Sequence, residues 1–194
     1  MREAVRPEAV RPAAVTDYLD EEPGPGVPAC RRLFRQLAAG VTVITSCEPG
    51  GTPIGMTVSA LTSLSLRPPL LLACLGNGSR TLAAIRRHGV FAVHLLRDDQ
   101  RELAETFASG HVRAGGKFQR VPWRPVLGAP TIPDALAWAV CLLFDHRVYG
   151  DHTVVVGRVA ATHTNVGRPL LWHDGTYRHA PDVHTGDPVA RAAS

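Results

Sequence analysis

Short runs of β-branched and aliphatic residues, separated by turns, recur along most of this sequence and restrict it to a mostly β fold. Three of them cover residues 41–46, 70–75 and 90–96, and two longer ones cover about 135–149 and 153–164. Branched side chains fit a pleated, half-buried strand better than a helix. Because these runs do not alternate regularly with helices, a doubly wound α/β fold is disfavoured. We predict a mostly antiparallel framework of roughly six or seven strands, closed or nearly closed into a barrel.

Three segments have the periodicity and end signals of peripheral helices. Residues 29–40 place their apolar side chains on one helical face, and Gly40 is the expected stop. Residues 79–89 begin with Ser79 as the expected N-cap and end in a glycine. Residues 98–110 carry acids in the first turn and also end in a glycine.

Both ends of the chain differ in composition from its centre. Residues 1–28 repeat the pentapeptide EAVRP and continue into DEEPGPGVP, and residues 181–194 are similarly polar. Proline, glycine and charge without an apolar period are typical of disordered segments. We predict a disordered arm at 1–28, one folded domain at 29–180 and a flexible tail at 181–194.

The apolar content is that of a globular protein. The longest apolar run, residues 135–144, is much shorter than the roughly 20 residues of a membrane span. We expect it to be covered on both faces, by the barrel interior and by a helix or a second subunit. The first residues contain arginines but no apolar core of a secretory signal, so we expect a cytoplasmic protein.

Four separate cysteines argue against a zinc ribbon or a dithiol redox site. Cys30, Cys47, Cys74 and Cys141 lie far apart, and none forms a C-x-x-C pair. Disulfides are rare in the cytoplasm, so we interpret these residues as free thiols.

The net charge of the predicted domain is positive. Residues 29–180 hold 17 of the 21 basic residues and 9 of the 17 acidic residues, a net charge of +8. No Lys/Arg run with interleaved aromatic residues tracks a nucleic-acid backbone. This balance favours small anionic ligands over DNA.

Residues 55–66 combine the features of a strand with an unusual number of Thr and Ser side chains. The segment carries no charge, and Gly55 and Ala60 leave space beside the backbone. A planar ring with acceptor atoms along one edge would explain this composition. On composition alone, however, a Thr/Ser-rich strand that faces water is the favoured interpretation.

A glycine-containing turn precedes the second predicted helix. Ser79, Arg80 and Thr81 stand at its first positions, and helix amides, two hydroxyls and a guanidinium together form an anion site. N-capping by Ser79 alone is the simpler interpretation, and the two are compatible. The pair Gly76 and Gly78 lacks the third glycine of a Rossmann fingerprint, and no P-loop is present.

Two further residues are candidates for a binding site. Lys117, the single lysine of the chain, lies in a Gly-rich loop, either beside a bound phosphate or free in solvent. His152 follows Gly150 and Asp151 at a strand hinge, as a turn residue or as a functional donor. His146 lies across the hinge without an evident third ligand, so we predict no metal site.

Several segments, in this order, resemble the short-chain flavin reductase family, the reductase components of two-component flavin-dependent monooxygenases. They are FRQLAAGVTVIT, PIGMTVSALTSLSLRPPLLLACL, NGSRTLAAI, GVFAVHLL, KF, GDHTVVVGRV and RPLLWHDGTYR, and they cover about residues 29–180. The resemblance implies a split β-barrel of the FMN-binding type, usually a homodimer. It implies that NADH or NADPH reduces FMN or FAD and that the reduced flavin passes to a partner monooxygenase.

The resemblance also implies a set of site residues. Flavin contacts are expected along two strands and a helix start, namely Met56, Thr57, Val58, Ser59, Ala60, Cys74, Leu75, Gly76, Ser79, Arg80 and Thr81, with Phe107 and Lys117 near the flavin. The match at Gly150, Asp151 and His152 places His152 near the nicotinamide, as the catalytic residue that positions it without an obligatory proton transfer. A flavin-binding protein without turnover, and a structural dimer with a vestigial pocket, remain the alternatives. The flavin and the nicotinamide are left open.

Overall fold

The computed structural model describes residues 24–110 and 115–181. The chain divides into two compact units, Met1–Leu37 and Ala38–Ser194. In the first unit, helix α1 covers Val27–Arg35, with a proline in its first turn and no buried residue. The predicted arm at 1–23 and the predicted tail from residue 182 lie outside the described residues, so the predicted domain boundaries stay predictions.

Helix α1 ends before the predicted stop. Gln36 caps it by donating its backbone N–H to Leu33 O and Phe34 O, and Gly40 lies in a strand of the second unit instead. The prediction of a helix up to Gly40 was therefore wrong. A glycine can stop a helix, but the helix can also end earlier, at a residue whose backbone amide caps the last turn.

The described part of the second unit contains twelve strands and two α-helices. The strands are β1 Ala39–Gly40, β2 Thr42–Cys47, β3 Pro53–Val58, β4 Leu61–Leu66, β5 Pro69–Gly76, β6 Val90–Leu95, β7 Arg124–Val126, β8 Ala129–Thr131, β9 Ala137–Tyr149, β10 His152–Thr164, β11 Leu170–His173 and β12 Thr176–His179. Helix α2 covers Arg80–His88, α3 covers Arg101–Ala108, and a 3-10 helix covers Gly116–Phe118. None of the helices among the described residues has the length and apolar character to cross a bilayer.

One antiparallel sheet of seven strands forms the framework, in the order β3-β2-β6-β9-β10-β5-β4. Smaller sheets are β1-β11-β12 and the hairpin β7-β8. The predicted mostly β fold with a few helices is confirmed.

Residues 53–66 form two strands and not the single strand that continuous β propensity suggests. Strand β3 pairs with β2 at one edge of the sheet, and β4 pairs with β5 at the other. Ser59 and Ala60 connect them, and Ala60 O accepts a hydrogen bond of 3.0 Å from Cys74 N. Neither residue is a glycine or proline, so the sequence contains no local signal of this break.

The apolar run at the start of β9 is buried on both faces. Ala139 and Cys141 belong to the core cluster that includes Ile44 and Phe91. Trp138 and Val140 pack on the other face against Ala129 of β8 and its neighbours. The expectation that both faces are covered is correct for residues 138–141, where the hairpin β7-β8 covers the second face, but Phe144 at the end of the run is 59% exposed.

His94 of β6 is a fully buried imidazole that joins two segments. It makes a hydrogen bond of 2.9 Å from Nδ1 to Val43 O, and its Nε2 accepts one of 3.0 Å from Ile132 N. Since a backbone N–H can only donate, Nε2 is unprotonated and the ring is neutral with its proton on Nδ1. Burial lowers the pKa of His94 from 6.5 to about 4, against the opposing effect of the bond to Val43.

We predict that this histidine makes stability depend on pH. Between pH 6.5 and about 4 the unfolded chain binds a proton that folded His94 does not, so the free energy of unfolding falls as the pH falls through that window. The full loss is on the order of 3 kcal/mol. Urea unfolding at several pH values, with His94→Gln beside the unmodified chain, measures it. The exposed His146→Gln is the control, and equal pH slopes in the His94→Gln and unmodified chains would contradict the prediction.

Candidate functional site

A cavity of about 290 Å³ lies where β3, the start of α2, the end of α3 and the 3-10 helix meet. It brings together six of the residues predicted for the site, although they come from four separate segments of the chain. They are Met56, Ser79, Arg80, Thr81, Phe107 and Lys117. Their convergence makes this cavity the candidate site.

The N-terminal end of α2 forms one wall of the cavity. Ser79 caps the helix, because its Oγ accepts a hydrogen bond of 3.2 Å from Leu82 N, and it donates one of 3.0 Å to Met56 Sδ. Arg80 and the buried Thr81 follow as the first helical residues. The positive end of the helix dipole and the unpaired amides of the first turn favour a negative group here.

Lys117 reaches the same cavity from the 3-10 helix. Its Nζ donates hydrogen bonds of 2.8 Å to Phe107 O and 3.3 Å to Gly55 O. Partial burial lowers the pKa of Lys117, and the positive charge of Arg80 lowers it further. The two cations therefore interact across the site.

Phe107 forms the aromatic part of the wall. Its ring meets the ring of Phe118 edge-on, with the centroids 5.0 Å apart. It also lies against the backbone of Gly55, where an added Cβ would come within 2.9 Å of Phe107 Cε1 and 3.0 Å of Ile44 O. Position 55 therefore has to be glycine for this strand and ring to approach so closely.

This arrangement is suited to a ligand that has both an anionic group and an apolar ring. Arg80, Lys117 and the helix amides supply positive charge, while Met56, Phe107 and Phe118 supply apolar surface. The carboxylate of Glu48 partly offsets this positive charge, because Glu48 Oε1 lies 2.9 Å from Arg80 Nη2.

The predicted contacts at 57–60 are not among the residues that line this cavity in the described part of the chain. The hydroxyl of Thr57 donates a hydrogen bond of 2.6 Å to Ala104 O, and Val58 is part of the main core. Ser59 and Ala60 are exposed in the link between β3 and β4. Their predicted contacts with the flavin stay predictions.

The pairing of β5 with β10 brings together two other sets of predicted site residues. Strand β10 aligns His152 with Gly76, Thr153 with Leu75 and Val154 with Cys74. The turn at 150–152 therefore lies beside Gly76, the last residue of β5. Ser79 follows three residues after Gly76. None of these predicted residues (Cys74, Leu75, Gly76, Gly150, Asp151 and His152) is among those that line the cavity.

His152 and Asp151 are hydrogen-bonded to each other at the exposed turn. His152 Nδ1 lies 2.7 Å from Asp151 Oδ1. This hydrogen bond, with the charge of His152, lowers the pKa of Asp151. The carboxylate thereby fixes the orientation of the imidazole.

Asn77 is a structural residue of the site that sequence analysis missed. Its backbone N–H donates to Asp151 O and its Nδ2 to Gly150 O, both at 3.0 Å, and its Oδ1 accepts from Thr153 Oγ1 at 2.8 Å. All its partners lie more than 70 residues away, so only the register of β5 with β10 reveals them. Phe118 and Glu48 were also missed, because the tertiary contacts of Phe118 with Phe107 and of Glu48 with Arg80 leave no pattern in the sequence. Residues 24–110 and 115–181 contain no cluster of three metal-ligating side chains.

A comparison with known protein families shows to which family this chain belongs. The model of the flavin reductase like domain matches residues 34–181. The chain belongs to this family. The resemblance stated from the sequence is thereby confirmed.

Several known proteins are similar to this chain over most of its length. A probable flavin reductase of Rhizobium meliloti (strain 1021) is 40% identical over 134 residues, which are 69% of this chain and 42% of that protein. This chain thus spans less than half the length of that relative. A flavin reductase (NADPH) of Lentzea aerocolonigenes is 40% identical over 157 residues, 78% of this chain and 90% of that protein.

Another relative and one solved structure add to the comparison. The reductase component of 4-nitrophenol 4-monooxygenase/4-nitrocatechol 2-monooxygenase from Rhodococcus opacus is 35% identical over 149 residues, 77% of this chain and 78% of that protein. The Streptomyces globisporus NADH:FAD oxidoreductase SgcE6, solved in complex with NAD and FAD fragments, has a TM-score of 0.73 and 34% identity. The alignment covers 79% of this chain and 93% of that one.

Proposed function

We propose that this chain is an NAD(P)H-dependent flavin reductase. NADH or NADPH reduces FMN or FAD by hydride transfer, and the reduced flavin is supplied to a partner monooxygenase. The main observation in support is the cavity, which is lined by two cations, a helix N-terminus and an aromatic wall, in a member of the flavin reductase family. The relatives that are named as NADPH or NADH flavin reductases and as a monooxygenase reductase component support it.

The residues of the cavity fit a flavin nucleotide. Arg80 and the amides of α2 would hold a phosphate, and Lys117 would offset negative charge on the ring. Phe107 and Met56 provide apolar surface for the ring. A bound flavin accepts a hydride at its ring with little acid–base assistance, so binding and orientation are the main tasks of the protein.

The remaining predicted contacts are proposed on the same basis. Residues 57–60 lie at the end of the edge strand β3 and in the link to β4, and residues 74–76 lie at the end of β5, beyond its last pair with β4 at Ala73. Backbone groups at both places are available to a ligand. The bond from Thr57 Oγ1 to Ala104 O means that Thr57 would contribute its backbone and not its hydroxyl.

Turnover with separately added nicotinamides and flavins tests the function. NADH and NADPH are each incubated with FMN and FAD, and the loss of nicotinamide absorbance in the near ultraviolet is followed. We expect oxidation that depends on both the protein and the added flavin. A yellow protein that consumes no nicotinamide would favour the alternative of a flavin-binding protein without turnover. Folded protein without flavin affinity would favour a structural dimer.

We propose that His152 positions the nicotinamide. Its place opposite Gly76, at the end of β5, and its hydrogen bond to Asp151 support this role. His152→Ala should raise the KM for the nicotinamide and lower kcat/KM by roughly tenfold, which is about 1.4 kcal/mol. Flavin affinity should not change. His146→Ala, an exposed histidine of the same hairpin, is the matched control, and unchanged steady-state kinetics in His152→Ala would refute the assignment.

We propose that the seven-stranded sheet closes as a split β-barrel. Its two edge strands, β3 and β4, are consecutive in the chain, and two residues link them. Three Cα–Cα steps span at most about 11 Å, so the facing ends of these strands must approach one another. An experimental structure that shows a flat, open sheet would contradict this.

We also propose that the chain is a homodimer. The outer half of β9 exposes Phe144, Val148 and Tyr149 by 58–60%, and Tyr149 shares its face of the sheet with the partly buried Val154 and Val156 of β10. A second copy of this strand pair offers the same apolar surface and makes a self-complementary two-fold contact.

Analytical ultracentrifugation tests the dimer. The unmodified chain should sediment at twice the mass of one chain, and Phe144→Glu should shift it to the monomer because the charge would be buried in the contact. Leu66→Glu, at an exposed residue of β4, is the control. A monomeric unmodified chain would disprove the proposal.

The remaining proposals concern boundaries and compartment. We propose that the folded domain spans residues 29–180, which limited proteolysis with mass analysis of the core fragment would test. We propose a cytoplasmic protein, and the four free cysteines agree with a reducing environment. Cell fractionation would test that location.

A further inference from the structure

The ion pair between Arg80 and Glu48 places an acid next to the cation that would hold the phosphate. Glu48 Oε1 lies 2.9 Å from Arg80 Nη2. Arg80 lines the candidate cavity, whereas Glu48 does not and lines two separate cavities of about 300 and 80 Å³. Glu48 therefore acts on the cavity through Arg80 and through its own charge.

The backbone holds Glu48 in place. It begins the turn between β2 and β3, where its N–H donates to Thr52 O at 2.9 Å and its carbonyl accepts from Gly51 N at 3.0 Å. Gly50 and Gly51 have φ of 85° and 81°, conformations that favour glycine. Its side chain is 26% exposed, compared with 59% for Arg80. The acid thus belongs to an ordered turn.

We propose that Glu48 is a specificity-determining residue that selects against a doubly charged phosphate monoester at Arg80. This inference rests on the proposed function, because it assumes that a flavin nucleotide is the ligand. An anion bound to the same guanidinium would lie roughly 4–6 Å from the Glu48 carboxylate. The repulsion grows with the charge of the anion. It is largest for the monoester of FMN, smaller for the singly charged phosphates of FAD and absent for riboflavin.

This selectivity is tested by comparing how three flavins bind to the chain with and without the charge of Glu48. Dissociation constants of riboflavin, FMN and FAD are measured by flavin fluorescence for the unmodified chain and for Glu48→Gln. The change removes the charge and keeps the side-chain shape. We expect FMN to bind roughly threefold to tenfold more tightly, FAD to gain about half as much on a logarithmic scale, and riboflavin to change by less than about twofold.

The matched control is Glu105→Gln. It also removes an acid from an exposed ion pair with arginine, at 2.8 Å from Arg101, and Glu105 does not line the candidate cavity. We expect all three affinities to remain unchanged in this variant. A second background, Arg80→Gln, should reduce the gain from Glu48→Gln, because without the guanidinium the anion is no longer held beside the Glu48 carboxylate.

The outcomes separate this inference from the proposed function. Unchanged or weaker FMN binding in Glu48→Gln, with flavin binding intact in the unmodified chain, would overturn the inference alone. A uniform gain for all three flavins would also overturn it. If no flavin binds to either chain, the proposed function fails. Inorganic phosphate then serves as the probe, and the inference still requires it to bind more tightly to Glu48→Gln.

Discussion

The three hydrogen bonds of Asn77 position the parts of the site relative to one another. One short side chain and its amide connect the turn after β9 to the segment that joins β5 to α2. Because Ser79 follows two residues later, the start of α2 is placed by the same contacts. Thr153 also accepts a hydrogen bond of 3.2 Å from Arg86, which ties the body of α2 to β10. The cavity wall and the histidine turn are therefore held as one unit.

The charge of the site is set by a balance among three residues. Arg80 and Lys117 both line the cavity, and their mutual repulsion contributes to the lowered pKa of Lys117. The bonds from Lys117 to two backbone carbonyls and the ion pair from Arg80 to Glu48 compensate for that repulsion. A negatively charged ligand would itself offset part of the repulsion between Arg80 and Lys117. The site is consequently organised before a ligand arrives, which lowers the entropy that binding has to overcome.

Local patterns predicted the strands well, because β-branched runs bounded by turns are a local property. They also placed Ser79, Arg80 and Thr81 at a helix start. The break at Ser59 and Ala60 could not be predicted, since it depends on which edge each strand joins. Phe107 came from the family resemblance alone, whereas Lys117 was already a candidate as the single lysine in a Gly-rich loop, and no spacing rule connects either residue with Met56. The ion pair of Glu48 with Arg80 spans 32 residues, and only the packing of α2 beside the β2-β3 turn brings its partners together.

The single lysine of this chain has a consequence for chemical labelling. Lys117 Nζ is the only lysine amine in the sequence, and it lies in the wall of the candidate cavity. Its lowered pKa increases the fraction of nucleophilic free amine at neutral pH, while its two hydrogen bonds and partial burial restrict access. An acylating reagent directed at lysine would therefore modify the cavity itself, and the terminal α-amino group is the other amine that such a reagent attacks. Attachment of a dye or a solid support through that chemistry would occupy the binding site.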